Sequence, residues 1–302
     1  MINFNKLSRK PRTFNTFTGI TIEEFNKLLI SFQSALDIYE YETFVKDKKR
    51  IRKFGGGRKT RLVSNEDKLM FILIYFKLYP LQEVQGMFFD MSQGRANEWI
   101  QRLTKILNKT LGYEKQLPIR KGADLESLLL LYPELNFLLD GTERPIQRPK
   151  TKEFQQDYYS GKKKRHTIKN NILTSVKTGK ILYLSKTVNG KVHDKRLADE
   201  DPPRLLKGST IGADTGYIGL KIRGTKILMP KKKPKGIDLT ETEKELNRAL
   251  SRVRVGVEHS IRGIKISRIC KDTFRNWVVN YEDEVMEVGC GLHNFRVSSR
   301  QR

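Results

Sequence analysis

The sequence has few of the features that mark secreted or membrane proteins. It contains two cysteines, Cys270 and Cys290, which are too few for a disulfide framework or a cysteine-rich zinc site. Its longest apolar runs, such as LMFILIYF at residues 69–76, are much shorter than the roughly 20 residues of a membrane span. The first residues carry no apolar signal segment. These absences predict a reduced, cytoplasmic protein with no membrane partner.

Acidic residues are also scarce. The chain of 302 residues has 34 Asp and Glu against 59 Lys and Arg, which gives a formal net charge of +25. Because such an excess attracts polyanions, nucleic acid is the favoured partner class. With 37% hydrophobic residues the chain can still fill a core, so a globular class is favoured over disorder. The length suits two or three domains.

Residues 1–61 are expected to form an N-terminal helical segment and a basic linker. A helix is predicted over TIEEFNKLLISFQSAL, because Thr21 and Glu24 have the spacing of a capping box. The linker, residues 46–61, is strongly basic and contains a run of glycines. It is interpreted equally well as a solvated connection or as an arm that contacts phosphate.

Residues 62–115 predict a helix-turn-helix domain. Ser64 or Asn65 is placed to cap a helix that runs to about Tyr79 and stops at Pro80, and Ser92 to cap a later helix, through about Asn108, after a short middle one. Exposed polar residues of that last helix are candidates for reading bases in the DNA major groove. They are Gln93, Arg95, Asn97, Gln101 and Arg102. A plain helical bundle has the same pattern, so both interpretations stay open.

From about residue 130 to residue 302, short apolar strands followed by a long helix indicate a mixed α/β domain. Two of the strands end on an acid, LNFLLD on Asp140 and STIGAD on Asp214. Acids at the ends of neighbouring strands would raise one another's pKa, a cost that a divalent cation removes. Taken singly, each Asp is more often a turn former or a helix cap.

The long helix, expected from about Thr240 to Ile269, carries a polar stripe at the border of its apolar stripe. Each of its members falls within about 40° of Glu258 at 100° per residue. They are Ser251, Arg254, Glu258 and Lys265. Taken alone, the stripe is best explained as an amphipathic helix with Arg–Glu ion pairs.

Together these segments resemble the DDE transposases of the insertion-sequence and Harbinger-related group. The resemblance extends over about residues 60–297 and rests on LDGTERPIQRP, YYSGKKKRHTIK, GKVHDKRL, ADTGYIG, RVRVGVEHSIRGIK and LHNF, in that order. It implies an α/β, RNase H-like catalytic domain, preceded by an all-α helix-turn-helix domain. It also implies that Asp140, Asp214 and Glu258 are the catalytic, metal-binding triad.

The resemblance implies two Mg²⁺ or Mn²⁺ ions per site, about 3.5–4 Å apart. Carboxylates suit these hard ions, which prefer oxygen ligands. The element ends would be hydrolysed, and the freed 3′-hydroxyl would then attack target DNA. The implied partner is double-stranded DNA, bound at the nucleoid by a homodimer or a larger assembly. Alternatives are a domesticated or inactive transposase that only binds DNA, and another RNase H-like nuclease that cleaves RNA or structured DNA.

Arg254, Glu258 and Lys265 match an arginine–glutamate–lysine signature of related transposases. The resemblance therefore makes Arg254 and Lys265 candidates for phosphate contacts, with structural ion pairs as the alternative. Ser251 stands where many relatives have tyrosine, so the DNA contact of that tyrosine is in doubt. The loop SGKKKRH offers further candidates for phosphate contacts, with solvated charge as the alternative. They are Lys162, Lys163, Lys164 and Arg165.

His193 and Asp194, in GKVHDKRL, also belong to the resembled motif. They are interpreted either as residues that orient the site or as the polar start of a helix. Asp194 is the reserve acid should one member of the triad be misassigned. Trp99 and Trp277 are expected in the core rather than as base-stacking residues.

Overall fold

The computed structural model describes residues 2–46, 60–131, 136–233 and 238–300. The predicted linker lies outside the described residues for most of its length. The α-helices are α1 (Phe4–Leu7), α2 (Pro11–Thr18), α3 (Ile22–Glu40), α4 (Asn65–Leu78), α5 (Gln82–Phe88), α6 (Gln93–Tyr113), α7 (Leu125–Leu131), α8 (Lys152–Tyr158), α9 (Asp194–Glu200), α10 (Glu241–Lys265) and α11 (Tyr281–Arg300). Among the described residues, no helix combines the length and the apolarity needed to cross a bilayer.

The strands belong to the second half of the chain and form one sheet. They are β1 (Asn136–Pro145), β2 (Tyr159–Ser160), β3 (Arg165–Ser175), β4 (Ile181–Leu184), β5 (Val188–Asn189), β6 (Thr210–Ala213) and β7 (Lys226–Leu228). Short 3₁₀-helices lie at Gly122–Asp124, Thr215–Tyr217 and Arg268–Cys270, and a π-helical turn follows α3 at Tyr41–Val45.

The chain divides into two compact units. The helical unit comprises Met1–Leu117, Lys265–Lys271 and Glu284–Arg302, and the sheet unit comprises Pro118–Ile264 and Asp272–Asp283.

Helix α4 forms the centre of the helical unit. Every residue from Leu69 to Phe76 is buried, as expected of a helix that is apolar on all sides. Its start is capped by the Ser64 side chain, which accepts a hydrogen bond from the backbone of Asp67. Its end is at Tyr79, which takes a left-handed conformation just before Pro80. Both predicted ends of this helix are confirmed.

Helices α3 and α6 begin as predicted. Thr21 and Glu24 form the complete capping box of α3, and Ser92 accepts from the backbone N–H of Arg95 at the start of α6. Helix α6 runs to Tyr113, beyond its predicted end at about Asn108, because its buried stripe continues through Leu111.

The sheet is mixed, with strand order β2-β3-β1-β6-β7, and β4 and β5 also pair with β3. Strands β1 and β3 are antiparallel, whereas β1, β6 and β7 run parallel to one another. The predicted α/β class, a mixed sheet flanked by helices, is confirmed. The turn between β3 and β4 contains Gly179 in a left-handed conformation (φ 72°) and closes a hairpin.

Strand β1 does not stop at Asp140, contrary to the prediction. It remains paired with β3 as far as Pro145. The parallel neighbour β6 does stop, at Ala213, which pairs with Leu139. Leu139 and Ala213 form the last residue pair between β1 and β6, and Asp140 and Asp214 directly follow them.

One face of the sheet packs against α7 and α9. Leu139, Leu173 and Ile211 of the sheet share a buried cluster with Leu125 of α7 and Ala198 of α9. Because side chains alternate along a strand, Leu138 and Asp140 lie on the opposite face of β1.

Helix α10 covers that opposite face. A Cβ added to Gly256 would lie 3.4 Å from Cδ1 of Leu138, so the helix approaches the strand closely. Val257 is buried, and the Ser260 hydroxyl donates to the carbonyl of Gly179 at 2.9 Å. Trp277 was predicted in the core, and this prediction is wrong: its side chain lies in the loop before α11 and is 71% exposed.

Candidate active site

Two aspartates stand side by side where the parallel pairing of β1 with β6 ends. Asp140 Oδ1 accepts a hydrogen bond from the backbone N–H of Gly141 at 2.8 Å. Asp214 Oδ1 accepts from the backbone N–H of Gly216 at 2.7 Å and caps the 3₁₀-helix that follows. The cap predicted as the alternative role of Asp214 is therefore present, in addition to its place beside Asp140.

A third carboxylate, that of Asp194, reaches the same place from the start of α9. A Cβ on Gly141 would lie 3.0 Å from Asp194 Oδ1. A Cβ on Gly216 would lie 2.8 Å from Asp214 Oδ1 and 3.6 Å from Asp194 Oδ2. Gly141 thus leaves space for the Asp194 carboxylate, and Gly216 leaves space for that of Asp214.

The electrostatics of the cluster follow from this crowding. Burial raises the pKa of Asp140, and the negative charges of Asp214 and Asp194 raise it further, against the lowering effects of the Gly141 N–H and of Arg254. Burial, with the same three acids, also raises the pKa of the nearby Tyr217 phenol well above its ordinary value. A cation placed among these carboxylates would be strongly favoured.

Arg254 is the residue of α10 that supplies positive charge to the aspartates. It lowers the pKa of Asp140 and of Tyr217. Its Nε is buried, and within the described part of the chain this atom has no hydrogen-bond partner. The guanidinium group therefore acts on the acids through its charge, and its Nε–H remains able to donate a hydrogen bond.

Glu258 is not brought to the aspartates. It is exposed, and it is not among the charges that shift the pKa of Asp140. Helix α10 places the charge of Arg254 near Asp140 and brings Gly256 close to Leu138. Glu258 follows Arg254 by one helical turn, about 6 Å along the axis. In the described residues, no three His, Cys, Asp or Glu side chains are arranged to hold a metal ion.

Residues 139–294, just over half of the chain, match the family described as DDE superfamily endonuclease. The chain belongs to this family. Residues 60–112 match the helix-turn-helix of DDE superfamily endonuclease. The probable transposase for insertion sequence element IS702 from Microchaete diplosiphon is 29% identical over 265 residues, which cover 88% of this chain and 87% of that protein. No solved structure matches.

Membership of the DDE endonucleases carries with it the general use of divalent metal ions. Asp140 and Asp214 fit such an ion, because they offer adjacent carboxylate oxygens whose mutual repulsion a cation would relieve. The buried position of Asp140 strengthens this argument, since its negative charge is poorly compensated by solvent. The third ligand predicted for this endonuclease, Glu258, stays a prediction.

Two further predicted residues lie near the ends of helices. His193 is exposed and precedes α9, and its side chain makes no capping hydrogen bond. Lys265 is the last residue of α10, is half-buried, and belongs to the helical unit. Ser251, which replaces the tyrosine of related signatures, is exposed on α10.

The candidate base-reading residues of α6 differ in their availability. Gln93 and Arg95 are exposed, and Arg95 pairs with Glu98 at 2.7 Å. Asn97 is half-buried and accepts a hydrogen bond from Gln82. Two expectations of exposure need correction. Gln101 turns its Nε2 into the protein, and the Arg102 guanidinium lies 5.0 Å from the centre of the half-buried Trp99 ring.

The basic loop of the endonuclease is the tip of the hairpin between β2 and β3. Ser160 pairs with Arg165, and Lys164 takes a left-handed conformation (φ 53°) that closes the turn. Lys162, Lys163, Lys164 and Arg165 are all exposed. A turn that presents consecutive cations to solvent is suited to contact with a phosphate backbone.

Sequence reasoning missed Lys169 and Asn171, two polar residues of β3 that are buried beside the acids. The signal was the run KNN within the otherwise apolar strand sequence TIKNNILTS. Polar residues in a central strand are unusual unless they have partners, and both residues contact Asp194.

Proposed function

We propose that this chain is the transposase of an insertion sequence. It binds the ends of its element as double-stranded DNA, cleaves them, and joins the freed 3′-hydroxyl groups to target DNA. The observation that carries this proposal is the adjacent pair Asp140 and Asp214 in a member of the DDE endonucleases. The net charge of +25 suits a DNA substrate, and the relative named as a probable transposase supports the same conclusion.

In this proposal Asp140, Asp214 and Glu258 hold two divalent ions, Mg²⁺ or Mn²⁺. Such ions, when bound, activate the attacking water or hydroxyl and stabilise the leaving oxygen. Glu258 has to approach the aspartates in the DNA-bound state, whereas Asp194 is already beside them. Arg254 is placed to exchange its interaction with the carboxylates for one with the scissile phosphate.

We assign the steps to three segments of the chain. Residues 62–115 recognise the element ends, and residues 130–302 carry out cleavage and joining. Residues 1–61 contribute the N-terminal helices and the basic linker. The active species on DNA is proposed to be a homodimer or larger assembly, because the two ends of one element have to be processed together.

The test is an assay of the purified full-length chain on labelled duplexes that carry the inverted repeats flanking its gene. We expect cleavage at the repeat end in Mg²⁺ or Mn²⁺ and none in EDTA, a 3′-hydroxyl on the product, and transfer of that end into a plasmid. Specific binding without cleavage in any divalent ion would favour a domesticated DNA-binding protein instead. Cleavage restricted to RNA–DNA hybrids would favour a different nuclease.

The substitution Arg95→Ala tests whether α6 recognises the inverted repeat, because Arg95 is exposed and lies on the candidate base-reading surface. We expect the affinity for the repeat to fall about tenfold and the preference for the repeat over random duplex to relax, as for loss of a base contact. The measurement is a binding titration at fixed salt on both duplexes. Arg12→Ala, an equally exposed change on α2, serves as the control. Equal effects of the two changes would favour a plain helical bundle.

The hairpin tip is proposed to follow the DNA backbone. Replacing Lys162, Lys163 and Lys164 by Ser should weaken binding to every duplex alike. It should also reduce the slope of log K against log salt by up to about 3, since each phosphate contact contributes about 0.9. The control removes the same charge from the exposed Lys207, Lys221 and Lys226. If both triple variants reduce the slope equally, the hairpin has no special contact.

A further inference from the structure

We propose that Lys169 is a positioning residue of the cleavage site, whose buried ammonium group holds the carboxylate of Asp194 beside Asp140 and Asp214. This inference rests on the proposed function and adds to it a residue that touches neither DNA nor the two strand-end acids. As a consequence, Asp194 contributes to the function of the acidic cluster, in addition to forming the polar start of α9.

The contacts of Lys169 are those of a buried, fully compensated charge. Among the described lysines it is the one with a buried side chain, which is 7% exposed. Its Nζ lies 3.1 Å from Asp194 Oδ1 and 3.5 Å from Glu143 Oε1. Because an unpaired buried ammonium is very costly, these two carboxylates account for its presence in the strand.

The register of the sheet explains why Lys169 meets Asp194. Antiparallel pairing sets Lys169 opposite Glu143 and Asn171 opposite Gly141, on one face of the sheet. Gly141 is the neighbour of Asp140, and its missing side chain leaves the space that Asp194 fills. Lys169 thus pairs with a carboxylate that lies against Gly141, the neighbour of Asp140 in β1.

A second contact fixes the main chain of Asp194. The side-chain Nδ2 of Asn171 donates to the Asp194 carbonyl at 2.9 Å, and Oδ1 of Asn171 accepts from the Tyr217 hydroxyl at 2.9 Å. Strand β3 therefore holds both the backbone and the side chain of Asp194. Since Lys169 binds Oδ1, the other carboxylate oxygen, Oδ2, is left on the side of Gly216 and Asp214.

A purely structural role of Lys169 predicts a different result from a positioning role. If Lys169 only stabilises the fold, its loss and the loss of its other partner, Glu143, should have the same kind of effect. If Lys169 acts through Asp194, its loss should weaken the binding of Mn²⁺ to the acidic cluster. In a chain that already carries Asp194→Asn, the loss of Lys169 should have no further effect on this binding. Glu143→Gln is therefore the matched control.

The experiment measures Mn²⁺ binding to the full-length, DNA-free chain by calorimetry, together with the thermal unfolding of each variant in EDTA. Lys169→Met and Asp194→Asn should each weaken Mn²⁺ binding by about tenfold, the lower end of the effect of losing a partner of a metal ligand. The double variant should bind no more weakly than either single one, because both changes act on one carboxylate. Glu143→Gln should lower the unfolding temperature and leave Mn²⁺ binding unchanged. In cleavage, kcat should fall for Lys169→Met while KM for DNA stays constant.

Gly141→Ala tests the same geometry should Lys169→Met fail to fold. Its methyl group would lie 3.0 Å from the Asp194 carboxylate and displace it, with Lys169 intact. It should reproduce the weaker Mn²⁺ binding. Unchanged or tighter Mn²⁺ binding in the variants, additive losses in the double variant, or an equal loss in Glu143→Gln would overturn the inference. A wild-type chain that neither binds Mn²⁺ nor cleaves DNA would instead overturn the proposed function.

Discussion

Replacing Asp140 by Asn is expected to reduce end cleavage by about a thousandfold or more, the scale of losing a central catalytic group. The same change should leave binding to the element ends intact, because those contacts lie outside the acidic cluster. It should also raise the unfolding temperature. Loss of activity together with a gain in stability is characteristic of a charge that is held in place for chemistry.

The gain in stability follows from the direction of the Asp140 pKa shift. Burial and the neighbouring acids raise its pKa, so the folded chain binds this proton more tightly than the unfolded chain does. The resulting stabilisation is fully present below the unfolded pKa and is lost as pH rises through the raised folded pKa. At neutral pH the ionised Asp140 is therefore a cost that Asn removes. The difference in unfolding temperature between wild type and variant should grow over that pH range and then level off.

Asp199→Asn is the control for this prediction. Asp199 is an exposed acid of α9 that pairs with Lys195 and lies outside the cluster. Its replacement should change neither cleavage nor the pH dependence of unfolding appreciably. Full cleavage by Asp140→Asn in Mg²⁺ would remove Asp140 from the metal site and, with it, the mechanism proposed for this chain.

Arg254→Gln is expected to change two measurements in opposite directions. The DNA-free protein should bind Mn²⁺ more tightly, by about tenfold, because a positive charge that competes for the carboxylates is gone. Cleavage of the element ends should nevertheless fall by about a hundredfold, because the cation proposed to hold the scissile phosphate is also gone. Calorimetry and the cleavage assay on the same preparation test both effects.

Arg252→Gln removes the same charge from an exposed neighbour on α10 and should alter neither measurement beyond a general electrostatic effect. Weaker Mn²⁺ binding in Arg254→Gln would mean that Arg254 supports the ion site rather than competing with it. Unchanged cleavage would mean that Arg254 only compensates the charge of Asp140 and does not hold the scissile phosphate.

Local features were readable from the sequence because they depend on neighbouring residues only. The Ser64, Ser92 and Thr21–Glu24 caps are each present as predicted, since a cap needs one side chain and the first turn of its own helix. Asp140 and Asp214 were expected to meet because each follows an apolar strand segment; the β1–β6 register places them next to each other, although β1 continues to Pro145.

Helical periodicity correctly placed Arg254 and Glu258 on one stripe, but periodicity describes rotation about an axis and carries no information about position along it. Which of the two residues lies near the aspartates depends on the position of α10 along β1. That position is set by the close approach of Gly256 to Leu138 and by the hydrogen bond of Ser260 to Gly179.

The helical caps, the mixed α/β class, the basic charge and the acids Asp140 and Asp214 could be inferred from the amino-acid sequence, because each arises from local patterns or composition. That Asp194 and the buried Lys169 join those acids is visible in the folded chain alone. These residues come from α9 and β3, and they meet through the register of β1 with β3 and the space beside Gly141. Strand register and packing are properties of segments distant in the chain, so no local pattern encodes them.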